Sequence, residues 1–364
     1  MKHVALTGGS GFLGWHVRSA LYGKGIEASL IPVGGNFEAS EAKTAINGTD
    51  RLIHLAGVNR AEDDEIRDGN ISFAQQIAEL VLAVDNPPSV IVYANSTQAG
   101  NGSVYGAAKH AAGDILRDAA DQVGAKFLDV YLPNLFGEHG RPFYNAVTAT
   151  FCHLLIEGKT PTVQDDKELT LLHAQDAADI LIGNCAIEKQ GSLEYKETVS
   201  GLLARLQKMD QIYRRGEIPD VSTPFTRNLF NTYRSYMFEA RPKIPLIKHA
   251  DERGSFSEII RTHGGTGQTS FSTTVPGVLR GGHYHRRKIE RFLVLSGKAR
   301  ISLRKMFTNE VLHFDVNGEQ PIAIDMPTMW THSIENTGNE VLLTNFWTDD
   351  HFDPNKPDTI VEAV

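Results

Sequence analysis

Tyr105 and Lys109 lie four residues apart in "SVYGAAKHAAGDIL". On a helix that spacing puts both side chains on one face. A neighbouring ammonium and the positive charge of a nicotinamide ring lower a tyrosine's pKa. Such a tyrosine can donate a proton to a carbonyl that accepts hydride. Ser96, ending the apolar run "VIVYANS", can hydrogen-bond the same carbonyl oxygen. Ahead of these residues, Thr7-Gly8-Gly9-Ser10-Gly11-Phe12-Leu13-Gly14 sets glycines at 8, 11 and 14, between a short apolar run and a helix start. Glycines let backbone approach a pyrophosphate, and a helix N-terminus favours its charge. Tyrosine and lysine at this spacing also describe an ordinary amphipathic helix surface; their order after the glycine loop selects the catalytic reading. A second group is His283-Tyr284-His285 with Glu290 five positions on. Two imidazoles and a carboxylate look like part of a metal site.

Composition bounds the setting. At 364 residues the chain is long enough for about two domains. Hydrophobic residues make up 41% and charged residues 22%, as in a soluble globular protein. The net charge of −8 argues against a nucleic-acid partner. Cys152 and Cys185 form no Cys-x-x-Cys pair, which fits a reducing cytoplasm and excludes a disulfide framework. "MKHVALTGGS" does not read as a signal peptide. No apolar run approaches the ~18 residues of a membrane span.

The elements that must position these residues fall into two sets. "HVALT", "EASLIPV", "RLIHLAG", "SVIVYAN" and "FLDVYLPN" are apolar runs separated by segments of helical spacing. Buried parallel strands covered by helices read this way, which predicts a Rossmann-like, doubly wound α/β domain. Pro242 and Pro245 mark a change of pattern. Beyond them come many short strands; in "KARISLRK", Ala299, Ile301 and Leu303 alternate with polar residues. This predicts an all-β domain, with the boundary between residues 1–242 and 243–364.

The first half resembles the extended short-chain dehydrogenase/reductases, in their nucleotide-sugar branch. "HLAG" at 54–57, "PNLFG" at 133–137 and "LLHAQDAADI", with Asp176, match that branch's motifs. The resemblance implies Tyr105 as catalytic acid, Lys109 as its support and Ser96 as its partner. It implies cofactor contacts from Thr7, Gly8, Gly11, Phe12, Leu13, Gly14, Leu55, Ala56, Gly57, Tyr105 and Lys109, and Asn134 near the substrate nucleotide. In "STQAG", Gln98 and Ala99 replace the Asp-Glu pair of the sugar dehydratases. A reductase or epimerase is favoured over a dehydratase. "SLIPVGG" has no acid to hold a ribose 2′-hydroxyl, which favours NADPH over NADH.

The second half resembles the cupins. Gly277, His283, His285, Glu290 and Gly297 follow the first cupin motif; Pro327, His332 and Asn336 follow the second, with Met329 where a glycine is usual. That resemblance adds His332 to His283, His285 and Glu290. Three imidazoles and a carboxylate suit Zn²⁺, Fe²⁺ or Mn²⁺. "DERGSFSE" at 251–258 and "GVLRGGHYH" at 277–285 also resemble the dTDP-4-dehydrorhamnose 3,5-epimerases. In that family the histidine at the position of His283 is the base, without metal. His283 is therefore base or ligand, since a ligated nitrogen accepts no proton; the complete ligand set favours ligand. The same resemblance implies Arg253, Glu258 and Arg280 as sugar-nucleotide contacts, with surface salt bridges as the alternative.

The order of motifs along the whole chain, ending in "FDPNKPDT" at 352–359, resembles the bifunctional CapF/WbjC-type enzymes of capsule and O-antigen synthesis. That resemblance implies C3 epimerisation of UDP-2-acetamido-2,6-dideoxy-4-hexulose in the cupin domain. NADPH reduction at C4 then follows, on the route to UDP-N-acetyl-L-fucosamine. A homodimer is expected, because cupins pair through strands. The alternatives are a C4 reductase with a structural cupin and a regulator that binds NADP without turnover.

Overall fold

The computed structural model describes residues 1–364. Its contacts define two compact units. One comprises Met1–Phe136, Gly140–Val147 and Lys167–Thr198; the other comprises Gly137–His139, Thr148–Asp166 and Val199–Val364.

The first unit is built on parallel strands β1 (His3–Thr7), β2 (Glu27–Ile31), β3 (Arg51–His54), β4 (Val90–Ser96) and β5 (Lys126–Leu132). Helices α1 (Phe12–Tyr22), α2 (Ala39–Ile46), α3 (Asp63–Ala83) and α4 (Val104–Val123) alternate with them. Successive residues of β1 enter opposite cores: Val4 and Leu6 pack with Val17, Leu21 and Val92, while Ala5 packs with Ile77, Val81 and Leu116. Both faces are covered, so the strands read as unbroken apolar runs. The strand order is β2-β1-β3-β4-β5. The order reverses between β1 and β3, and open α/β sheets bind ligands at the carboxyl ends of such a pair. The glycine loop follows β1 and "HLAG" ends β3, so both candidate cofactor segments meet at that point. A smaller sheet of β6 (Asn134–Phe136), β7 (Glu168–His173) and β8 (Glu194–Thr198) completes the strands of this unit.

The second unit contains α5 (Val147–Ile156) beyond its first residue, while α6 (Ala174–Leu181) belongs to the first. Then come α7 (Val199–Tyr213) and α8 (Pro224–Ala240). The strands are β9 (Lys243–Pro245), β10 (Lys248–Asp251), β11 (Gly254–Ser257), β12 (Gln268–Thr274), β13 (Leu279–Tyr284), β14 (Glu290–Ser296), β15 (Lys298–Lys305), β16 (Val311–Asn317), β17 (Ile322–Met326), β18 (Trp330–Asn336), β19 (Leu342–Thr348) and β20 (Ile360–Val361). They form two antiparallel sheets, β12-β19-β14-β17-β9 and β16-β15-β18-β13-β20, beside the β10–β11 hairpin. Phe292, Val294, Ile324 and Leu342 of the first sheet pack against Ala299, Ile301, Leu303, Phe314 and Ile334 of the second. The buried alternation in β15 is the period-two pattern of its sequence. This is the cupin-like architecture expected of the second half.

The packing division differs from the sequence break at 243. That break marks where strands begin, but α7 and α8 pack with them. The Tyr213 hydroxyl donates to Asp325 Oδ2 at 2.7 Å, Arg291 Nη1 donates to Gly216 O at 2.5 Å, and the Phe238 ring meets Trp330 edge-on at 5.2 Å. Burial raises the cost of ionising Asp325, but the Arg291 charge beside it still holds its carboxyl below the usual range. The Arg291–Asp325 pair is joined at 2.5 and 3.1 Å, with side chains 1% and 2% exposed. Breaking it in Asp325→Ala leaves a buried, uncompensated guanidinium and is expected to cost about 3–5 kcal/mol. Urea unfolding followed by circular dichroism reads this as an earlier transition of the second unit.

Candidate active sites

The glycine loop is shaped by close approach. Gly8 has φ +66°, and a Cβ there would lie 2.8 Å from Ala56 N. At Gly14 a Cβ would lie 2.1 Å from Gly8 O, so α1 can start against the loop only without a side chain. Gly11 caps α1 with no side-chain hydrogen bond. This leaves first-turn N–H groups for an anion, with Phe12 and Leu13 on the same half-buried turn. The Thr7 hydroxyl accepts from Leu55 N at 3.1 Å and Ala56 N at 3.2 Å, and pairs with His54 Nδ1 at 2.8 Å. Thr7 thus ties the two segments together. At Gly57 a Cβ would meet Asn70 Oδ1 at 2.7 Å, and Asn70 Nδ2 donates to Val58 O and Ile66 O at 2.7 Å each.

Ser96 ends β4, where its Oγ accepts from Gln98 N at 3.1 Å, and Tyr105 stands in the first turn of α4. Ser103 caps α4 by accepting from Gly106 N at 3.0 Å, which places Tyr105 and Lys109 on one inward face. Lys109 is 4% exposed; its Nζ donates to Ala94 O at 2.7 Å and lies 4.1 Å from the Tyr93 ring centre. Burial pushes the Tyr105 hydroxyl up, opposed by its hydrogen bond with Ser96. Burial brings the Lys109 ammonium down to about 7, against the pull of Asp129. It is therefore only partly charged at neutral pH. Burial, with the Lys109 charge, also takes His54 down to about 3, so that ring is neutral. Gln98 is exposed beside Ser96, where a dehydratase would carry an acid.

In the second unit, His283, His285, Glu290 and His332 come together, their ligand atoms all within 4.8 Å of one another. His283 is the penultimate residue of β13, Glu290 opens β14 in the facing sheet, and His332 lies on β18. A bulge between Gly281 and His283 sets His283 opposite His332. It needs Gly281 at φ +98°, where a Cβ would lie 2.7 Å from His332 O, and Gly282 at φ +72°. Met329, where a glycine is usual, takes φ +60° and is fully buried; its N–H donates to His285 O at 2.7 Å.

The protons of the cluster are constrained. His285 Nδ1 faces the Asp358 carbonyl at 2.6 Å, and His332 Nδ1 faces the Trp330 carbonyl at 3.2 Å. A carbonyl only accepts, so each Nδ1 carries a hydrogen. In the neutral rings, both Nε2 lone pairs then face Glu290 Oε2, at 3.0 and 3.1 Å. His332 Nε2 is buried and makes no hydrogen bond of good geometry there. Lone pairs facing a carboxylate need a cation or an added proton between them. Metal–ligand distances of about 2.0–2.2 Å suit the spacing, so this donor set fits a divalent metal. Burial opposes ionisation of Glu290, but its contacts with His285 and His332 overcome this and hold it well below the usual carboxylate range. Burial and the neighbouring rings bring His283 down to about 4, leaving it neutral for either candidate role.

The expected substrate contacts do not all converge. Arg253 pairs with Asp251 at 2.6 Å and Glu258 with Arg261 at 2.7 Å, both on the exposed surface. Arg280, on the same strand as His283, donates to Thr274 Oγ1 at 3.0 Å and Thr273 O at 3.2 Å. Exposed Asn134 donates to Thr170 O at 3.3 Å. Asp176 is buried in the first turn of α6. Sequence reasoning missed Asn95, whose Oδ1 accepts from Ser96 N at 2.8 Å and whose Nδ2 donates to Asp129 at 2.8 Å. Its place beside Ser96 was the available signal. Asn70 carried none, since it acts through a fold-dependent contact; Asp358 lies in the quoted "FDPNKPDT", but its contact with His285 depends on the fold.

Lys109 gives a signed stability effect. Its folded pKa lies below its unfolded value, so burying the cation costs stability in full below pH 7, and the cost fades as pH rises toward 10.5. Lys109→Met is therefore expected to unfold at higher urea than the wild type below pH 7. The gap should narrow as the pH is raised, measured by urea midpoints across pH 6–10.

Two family models cover most of the chain: the NAD dependent epimerase/dehydratase family matches residues 4–191, and the polysaccharide biosynthesis C-terminal domain matches residues 249–360. The UDP-2-acetamido-2,6-beta-L-arabino-hexul-4-ose reductase of Pseudomonas aeruginosa is 32% identical over 370 residues, covering 99% of this chain and 98% of the relative. The crystal structure of the capsular polysaccharide assembling protein CapF from Staphylococcus aureus aligns over 100% of both chains at 31% identity, with a TM-score of 0.62. UDP-glucose 4-epimerase from Thermotoga maritima, solved with UDP-glucose, covers 66% of this chain and 100% of its own at 14% identity and TM-score 0.54, a likeness of fold alone. The chain is thus an enzyme of the NAD dependent epimerase/dehydratase family, of the CapF type, and carries a polysaccharide biosynthesis C-terminal domain.

Proposed function

We propose that this enzyme acts in two steps on one UDP-linked 4-keto-6-deoxy amino sugar. The cupin unit epimerises C3 of UDP-2-acetamido-2,6-dideoxy-4-hexulose. The reductase unit then reduces the C4 ketone with NADPH to UDP-N-acetyl-6-deoxy-L-talosamine, on the route to UDP-N-acetyl-L-fucosamine for capsule or O-antigen. Tyr105 one helical turn from buried Lys109 on α4, with Ser96 ending β4 and the glycine loop ahead of them, carries the reading. The 2-acetamido-hexul-4-ose in the name of the Pseudomonas relative supports the substrate.

In the reduction, bound NADPH supplies the hydride to C4. The ketone oxygen takes hydrogen bonds from Ser96 and Tyr105, and Tyr105 gives its proton as the alcohol forms. A phenol kept protonated by burial is in the right state to give it. After β2, residues 32–37 contain no carboxylate to hold a ribose 2′-hydroxyl, which favours NADPH. In the epimerisation, a C3 hydrogen is acidic only while C4 is a ketone, so this step precedes reduction. His283, His285, Glu290 and His332 would hold a divalent ion, zinc in the first instance, which supplies Lewis-acid polarisation of the ketone oxygen. His283 sits in the cluster as a ligand on this reading.

A second copy of the chain is the natural cover for Phe256, Phe271 and Leu279 on β11, β12 and β13, which are 65%, 72% and 57% exposed. This supports a homodimer. No helix is long and apolar enough to cross a membrane, and both cysteines are free, in keeping with a cytoplasmic enzyme.

Two measurements test the reading. Tyr105→Phe is expected to cut NADPH oxidation by about 10²–10⁴-fold while binding the cofactor as before. Unchanged turnover would remove Tyr105 from the role of acid. In D₂O without NADPH, the wild type should place deuterium at C3 of the substrate, and His285→Ala should not. No exchange by the wild type would leave a C4 reductase with a structural cupin. Exchange retained in the variant would return His283 to the role of base.

A further inference from the structure

Ligands are held by their neighbours as much as by the ion, and those neighbours decide ring orientation and tautomer. Residues 358–362 meet the histidine cluster at several points. Asp358 adopts φ +43°, a conformation that Asp and Asn tolerate better than other side chains. Its carboxylate accepts three successive backbone N–H groups: Arg286 at 3.1 Å on Oδ1, and Arg287 at 2.7 Å and Lys288 at 2.8 Å on Oδ2. Consecutive amides around a carboxylate form a charge-assisted clasp. These residues belong to the short loop between His285 and Glu290. The carbonyl of the same residue takes the His285 Nδ1 hydrogen at 2.6 Å, which turns Nε2 toward the cluster. Next, Ile360 and Val361 pair with Tyr284 and His283. Glu362 N donates to Gly282 O at 3.0 Å, and the Thr331 hydroxyl donates to Glu362 O at 2.6 Å.

We propose that Asp358 is the positioning residue of the His283–His285–Glu290–His332 metal site: its carboxylate fixes the loop between two ligands, and its carbonyl fixes the tautomer of one of them. This rests on the metal reading of the cluster. The plainer alternative is that Asp358 only ties residues 358–362 to the barrel.

Zinc affinity of the full-length protein separates the two. Metal-stripped wild type, Asp358→Ala and Asp358→Asn are titrated with zinc against a chromogenic chelator. Each is also melted with and without zinc. Asp358→Ala is expected to bind zinc about 10–100-fold more weakly. Asp358→Asn keeps the backbone conformation and one acceptor oxygen, so it should lose less, several-fold. The rise in melting temperature on adding zinc should shrink in the same order. A residue that merely ties down the chain would lower both melting curves together and leave zinc affinity within twofold of wild type in both variants; that result overturns the proposal. If Asp358→Ala does not fold, Asp358→Asn decides alone by the same criterion. A wild type that takes up no zinc overturns the metal reading itself, a different result from variants that bind zinc as well as the wild type does.

Discussion

The second unit turns on one confrontation. Glu290, opening a strand of one sheet, meets two imidazoles at 3.0 and 3.1 Å, His332 from the other sheet and His285 from the loop after β13, in a place that water hardly reaches. Their Nδ1 hydrogens are committed to main-chain carbonyls, so the facing nitrogens have only lone pairs to offer. Such an arrangement is costly unless positive charge sits in the middle. The surrounding features serve to hold it. The glycine bulge sets His283 opposite His332. Met329 adopts a left-handed turn that costs a non-glycine residue about 1–2 kcal/mol, and its N–H secures the His285 carbonyl. A side chain buried among the strands can offset that cost, which is how methionine stands where glycine is usual.

The first unit solves a related problem in another way. Lys109 is buried against the Tyr93 ring and the Ala94 carbonyl, and its charge is weakened by that burial. Functional sites often hold groups in states that cost stability. Asn95 and Asp129 extend the arrangement, fixing Ser96 from behind. Ser96 is thereby held in place before any ketone arrives, which is what hydrogen bonding in fixed geometry asks of it.

Much of this was legible in the sequence because it depends on local spacing. Glycines at 8, 11 and 14, Tyr105 and Lys109 a helical turn apart, and His283-Tyr284-His285 with Glu290 all belong to single strand-loop or helix units. The alternation in β15 and the apolar runs of β1 to β5 likewise set strand type and burial directly. What stayed hidden depends on tertiary contact. The membership of α7 and α8 in the second unit rests on Tyr213, Gly216 and Phe238 meeting residues roughly a hundred positions away in several cases. The weakened charge of Lys109 follows from burial, which spacing does not report. Arg253 and Glu258 carry the motif of a related epimerase; their ion-pair partners, Asp251 and Arg261, are set by the fold. A motif fixes residue type; the fold decides what each residue meets.

The central claim is that positive charge in the histidine–glutamate cluster is a resident metal ion. Elemental analysis of the chain, purified without chelator and assayed for C3 exchange, tests it most directly. The account predicts about one divalent ion per chain, zinc first, filling a four-ligand site. A protein that is free of metal and still exchanges C3 hydrogen would contradict it. The cluster would then hold its charge as a proton, and His283 would be the base.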